Sequence, residues 1–322
     1  MKGEFFAVGL PQFLKTCQLG MNPAIAFLVM ARGSLSDNTT TSWSAQSIFN
    51  YTGIARRRAK EAITNLVDSN LVEQTKGGTK PKYTLQKPRN DKELAWLPST
   101  LVDGVGREVP PLMRLREVGD VALLRVFIEL YNEQDLESDG GIPRTLAWTV
   151  FRRSALGEIG PFTLYGFDIE DRWAAAAGIL GKFHGQKNAA GCRGAWIALR
   201  PLIDMGLVHE TLYMAESQNQ EAELIYPVTE ETEAAVGTLL QWINDKNMYG
   251  LISKVDEFER LGVALTHIKH ACLVGGLRLH YRAKTSKTSR WWARERQQVE
   301  AMVGLVNYTC HKEDPIKCAH QG

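Results

Sequence analysis

Most of the signatures that identify enzymes and membrane proteins are missing from this 322-residue chain. There is no Gly-x-x-x-x-Gly-Lys-Ser/Thr run to cradle nucleotide phosphates, no Gly-x-Ser-x-Gly elbow and no His-Glu-x-x-His pair. No His-x-His pair accompanies a candidate nucleophilic tyrosine, which speaks against a rolling-circle nickase. No apolar run approaches the length needed to span a bilayer, and Met1–Leu10 lacks the core and cleavage pattern of a signal peptide. Cysteine is scarce: Cys17, Cys192, Cys272, Cys310 and Cys318 are odd in number and scattered, as expected of reduced thiols in a cytoplasm. A global charge excess is missing too. With 38 basic and 36 acidic residues the net charge is +2, so any attraction to a polyanion has to be local.

What remains is a soluble composition, 44% hydrophobic and 23% charged, with room for two or three domains. The most informative stretch is Trp43–Leu85. Ser44 is a natural N-cap, and Ala45, Ile48 and Phe49 share one face of the helix it opens. Thr52-Gly53 ends that helix, since glycine tolerates the positive φ of a chain reversal. Beyond the turn, Ile54, Ala59, Ala62, Ile63, Leu66 and Val67 form one apolar stripe. The other side of its first turns carries Arg56, Arg57, Arg58 and Lys60. Leu71-Val72 and Tyr83–Leu85 then read as a hairpin turned by Lys76-Gly77-Gly78-Thr79, with Lys76, Lys80 and Lys82 lining it. Pro81 suits its edge strand. Between Ile54 and Arg89 nine basic residues face three acidic ones, a local footprint of the kind that binds nucleic acid.

Gln46–Asn50, Thr52-Gly53-Ile54, the Arg56–Lys60 face, Ala62-Ile63, Leu66 and Asn70-Leu71-Val72 together resemble a bacterial winged helix-turn-helix. The fold is shared by transcriptional regulators and plasmid replication initiators. The likeness covers about the first quarter of the chain. Ala55 departs from it where a capping Ser is frequent, and Asn70 where Gly is frequent, although Asn also accepts the left-handed conformation. The resemblance implies a double-stranded DNA ligand contacted by Ser44, Gln46, Arg56, Arg57, Arg58, Lys60, Lys76, Lys80 and Lys82.

Further along, Ala195–His209 echoes Glu61–Glu73: Leu202 falls on Leu66, Asp204 on Asp68, and Leu207-Val208 on Leu71-Val72. Strand candidates follow at Thr211–Met214 and Leu224–Val228. This reads as a second, degenerate winged helix, because the segment between them carries Glu216, Glu221 and Glu223, and carboxylates repel phosphate. A protein-contact role suits it better. Residues 137–191 read as an aromatic- and Gly-rich insert able to line a ligand pocket, although no residue constellation there identifies a ligand.

The expected organisation is therefore mainly α with small β-hairpins: an N-terminal winged helix (1–87), a Pro/Gly linker (88–111), a second winged-helix-like domain (112–229) and a helical C-terminal region (230–322). Within the last region, Arg282, Lys284, Lys287 and Arg290 flank Tyr281 and Trp291-Trp292 as further candidate DNA contacts. Cys310, His311, Cys318 and His320 have zinc-compatible side chains, but their spacing matches no common finger. The expected function is non-enzymatic, site-specific DNA binding without cofactor or metal, by a cytoplasmic, nucleoid-associated homodimer acting as a transcriptional regulator. The alternatives are an initiator that binds origin repeats and a winged-helix module that binds protein.

Overall fold

The computed structural model describes residues 4–176, 199–282 and 284–312. They fall into two units. One takes its residues from 1–134, 198–208 and 279–283, the other from 135–197, 209–278 and 284–322.

The first unit is organised around one very apolar helix. The chain runs β1 (Phe5–Gly9), α1 (Leu10–Gln18) and α2 (Met21–Arg32). From Ala24 to Ala31 every residue of α2 is buried, and a helix apolar on all sides belongs at the centre of its unit. Arg32 closes it with a 2.6 Å ion pair to Asp103. Around this axis lie β2 (Thr40–Thr41), α3 (Ala45–Thr52), α4 (Arg56–Asp68), β3 (Val72–Lys76) and β4 (Lys82–Leu85). The three strands form one sheet in the order β2-β4-β3.

The linker expected at 88–111 is an integral part of this unit. Its β5 (Leu94–Pro98) pairs antiparallel with β1, Trp96 opposite Ala7, and Ala95, Leu97, Leu101 and Val102 are buried. Proline and glycine interrupt its periodicity without freeing it from the core. The unit is completed by α5 (Thr100–Asp103), α6 (Pro111–Val118), α7 (Val121–Asn132) and α8 (199–204). Gly119, at φ +77°, separates α6 from α7, dividing a pattern that reads as one helix.

The second unit overturns the mainly-α, tandem winged-helix expectation. It is built on a curled six-stranded antiparallel sheet. The strands are β6 (Ala147–Ile159), β7 (Phe162–Ala176), β8 (Val208–Ala215), β9 (Leu224–Pro227), β10 (Arg260–Leu265) and β11 (Cys272–Leu279), ordered β10-β7-β6-β11-β8-β9. The long β6–β7 hairpin occupies residues 147–176 of the supposed insert and turns at Gly160-Pro161. The expected second wing, β8 and β9, forms one side of this sheet instead. The C-terminal region is not all helical either, because β10 and β11 lie within it. Two of its helices, α9 (Glu230–Asp245) and α11 (Ser286–Lys312), send Leu239, Ile243 and Val306 into a core with Ile159, Phe162 and Leu164; α10 (Tyr249–Val255) adds Leu251.

Candidate nucleic-acid interface

The α3–α4 pair is held by a chain of local interactions. Ser44 caps α3, its hydroxyl accepting from Gln46 N at 3.4 Å, while Ser47 reciprocates to the Ser44 amide. The hydroxyl expected to contact DNA thus also serves the helix start, with its O–H left as a donor. Gly53 ends α3 in the left-handed region at φ +67°, and its N–H returns to Phe49 O. The α4 start has no side-chain cap at Ala55; Thr52 Oγ1 instead accepts from Ile54 N at 3.3 Å. Arg116, which the sequence pattern did not single out, donates to Thr52 O at 2.8 Å and ties the turn to α6. Beneath α3, Trp43 stacks on Tyr51 with centroids 4.6 Å apart. A Cβ on Gly33 would come within 2.2 Å of the Trp43 ring, so only glycine lets that stack lie flat.

Ala59, Ala62, Ile63 and Leu66 are the buried face of α4. At 100° per residue the opposite face is centred on Arg57, Glu61, Thr64 and Asp68, with Arg56 and Lys60 on one flank and Arg58 on the other. All four basic residues are exposed. Arg57, 86% exposed, lies 3.6 Å from Glu61, a screened pair of small energetic weight. The Arg56 guanidinium sits 5.4 Å from the centre of the half-exposed Phe49 ring, which steers it toward α3. Arg58 borders a shallow cleft with Pro23 at the start of α2. Gln46 is exposed and donates to Asn50 Oδ1 at 2.6 Å along α3.

The hairpin that follows is basic at its tip. Lys76 and Lys82 are directly opposite in the β3–β4 register, and like charges in that position repel. Lys80 stands in the exposed loop between them, where Gly78 takes φ +88°. A cross-strand lysine pair is an electrostatic cost to the isolated protein that a bound polyanion would reverse.

The other candidates are placed less favourably. Arg282 is half-buried and donates to Leu279 O at 3.3 Å, Lys287 is ion-paired with Glu137, and the exposed Arg290 donates to Ser286 O at 3.3 Å. Lys284 is exposed. Arg282 belongs to the first unit and the other three to the second, so they are not one patch of one unit. Arg278 is structural: it is buried, covers Trp292 at 4.2 Å and donates to Asp139 O. Cys310 is buried and His311 exposed, while Cys318, His320 and residues 177–191 of the expected insert lie outside the described residues. Among the described residues no three His, Cys, Asp or Glu side chains are grouped to hold a metal. No helix among them is long and apolar enough to cross a membrane.

Comparison with protein-family models, with curated proteins and with solved structures finds no match to this chain.

Proposed function

We propose that the first unit is a winged helix-turn-helix reader of double-stranded DNA, with α4 as the recognition helix and β3–β4 as the wing. The observation that carries this reading is the exposed basic start of α4, Arg56 to Lys60, set out by the Gly53 turn and followed at once by a hairpin whose lysines face each other. Long donors at the start of an exposed helix suit guanine edges in a major groove, and lysines on a hairpin suit the flanking phosphates.

The biological role we assign is transcriptional regulation by a site-specific binder. With the second unit a curled sheet and not a second winged helix, a tandem arrangement no longer speaks for the initiator alternative. A homodimer remains part of the proposal and is read from the symmetry of the DNA site.

The deciding experiment is selection of bound sequences from random duplex DNA, followed by gel shifts at low salt. The wild type enriches a defined, palindromic site, and the Arg56→Ala/Arg57→Ala/Lys60→Ala variant loses it. Undiminished DNA affinity in that variant overturns the reading.

A further inference from the structure

The second unit holds a cavity that DNA reading does not use. Its sheet begins at β10 and ends at β9, and these two edge strands meet through the Tyr226 hydroxyl, which donates to Val263 O. A cavity of about 350 Å3 opens along this seam, walled by Leu224, Ile225, Leu265, Ile268, Met302 and Leu305. Space of this size with mostly apolar walls accommodates a small organic molecule.

The polar groups determine which molecule. Glu216 and Glu223 line the cavity as exposed carboxylates, drawn together by the Glu216 N–H donating to Glu223 O at 3.0 Å. Gln298 lines it from α11 with its amide end 2.9 Å from two acceptors, Ile225 O and the Glu295 carboxylate, which assigns the nitrogen to that side as donor to both. Both amide hydrogens are thereby used, which leaves the Gln298 oxygen as its remaining group. No lysine, arginine or histidine of the described residues lines the space. The cavity thus presents hydrocarbon and hydrogen-bond acceptors, two of them charged. An anion inside the cavity would meet like charge, with Lys269, His267 and His270 lining only an adjoining cleft on the other side of Glu216 and Ile268, and a neutral hydrocarbon would leave the carboxylates without a role.

We propose that this seam cavity binds a small amphipathic ammonium ion, an alkylamine or arylalkylamine. The hydrocarbon lies between Leu265, Met302 and Leu305, and the ammonium donates to Glu216 and Glu223.

Three probes sharing one chain test this on the full-length protein: octylammonium, octanoate and octanol, titrated by calorimetry. Spectra of 13C-methyl-labelled methionine report on Met302. Octylammonium is expected to saturate one site about tenfold more tightly than octanoate, and to shift the Met302 resonance. Glu216→Gln/Glu223→Gln, confined to exposed positions, keeps the fold and loses most of that preference. Leu305→Trp fills the space and abolishes binding. Equal affinity for octanoate, an unmoved Met302 signal under saturating octylammonium, or a preference retained in the double variant each overturns the proposal.

Discussion

The Tyr226 hydroxyl engages both backbone groups of Val263 at once. It donates to the carbonyl at 2.7 Å and accepts from the amide at 3.3 Å. Val263 belongs to one edge strand and Tyr226 to the other, so a single phenol supplies what a ladder of strand pairing would otherwise provide. Burial pushes this phenol well above its ordinary range, so it keeps its proton at any physiological pH. Tyr226→Phe leaves a buried N–H and C=O without that partner. The expected cost is about 1–3 kcal/mol in urea unfolding, with faster amide exchange at Val263. Unchanged stability together with unchanged exchange would mean that the seam is held elsewhere.

Within the proposed reader, two substitutions separate base reading from backbone holding. Arg57→Ala is expected to cost on the order of 1–3 kcal/mol at the selected site and to relax preference at one base pair. Lys80→Ala is expected to weaken every duplex alike and to reduce the slope of log K against log salt by about 0.9. Binding isotherms on matched and scrambled duplexes over a salt series measure both. If the two variants respond identically, the division of roles between α4 and the wing is wrong.

In the proposed reader, Glu61 would work against indiscriminate binding. It stands on the exposed face of α4, 3.6 Å from Arg57, and brings negative charge toward any phosphate that approaches there. Glu61→Gln is therefore expected to raise affinity for scrambled DNA more than for the selected site, lowering the ratio of the two. A ratio that holds or rises overturns this, and a ratio lowered by weaker binding to the selected site, with scrambled DNA unchanged, would instead assign Glu61 to favourable contact with the site, such as a cytosine amino group.

Glu295 gives the second unit a pH dependence. Its side chain is only 2% exposed, and burial raises its pKa, Arg294 opposing the shift while Asp139 and Glu223 add to it. A carboxyl with a raised folded pKa costs nothing while both states are protonated. It destabilises as pH climbs from the unfolded value, about 4.3, through the folded one, and the loss persists above. Glu295→Gln removes this term. The variant should match wild type near pH ~3 and be the more stable of the two near pH ~8. Thermal melts across that range decide it; a gap that narrows with rising pH has the wrong sign.

The thiols of the half-buried Cys17 and the buried Cys272 should be slow to react. Desolvation lifts Cys17 to about 12 and Cys272 to about 11, so little thiolate forms at mildly alkaline pH. Brief iodoacetamide treatment of the native protein near pH ~8, followed by peptide mass spectrometry, should leave both unmodified. Rapid labelling of either would show that its surroundings open readily.

Features governed by neighbouring residues were legible in the sequence. The α3–Gly53–α4 succession, the hairpin after Asn70 and α9 all declared themselves through caps, a left-handed residue or a 3.6-residue period. The echo between Leu66–Val72 and Leu202–Val208 was real at that level. Leu71 N returns to Leu66 O and Leu207 N to Leu202 O, both at 2.9 Å, with Asn70 and Gly206 at positive φ. The shared feature was a way of ending a helix before a strand, and it carried no information about the sheet that strand joins.

What escaped depended on distant partners. Leu94–Pro98 is a strand only because β1 lies beside it. In β6 and β7, Trp148, Val150, Phe151, Leu164, Tyr165 and Phe167 are all buried, so the alternation of a half-exposed strand is lost. Leu261, Val263 and Leu265 alternate at period two, as the strand β10 requires, but they lie in a region otherwise rich in helical pattern. In the candidate interface, the basic residues showed in sequence whereas Arg116, which braces the turn from α6, had no local signal.

The polypeptide shuttles between its two units, returning to the first at 198–208 and again at 279–283. Neither unit can be excised with a single cut. A fragment ending at Gln134 would lack α8 and the Met205 that follows it, whose carbonyl receives Arg114 at 2.8 Å, and would lack Tyr281, whose hydroxyl donates to Glu108 at 3.1 Å. A grafted or truncated reader would leave these partners behind. Any gene fusion, domain swap or two-hybrid bait made from this protein therefore needs the whole chain, or a circularly reordered one that restores the returning segments.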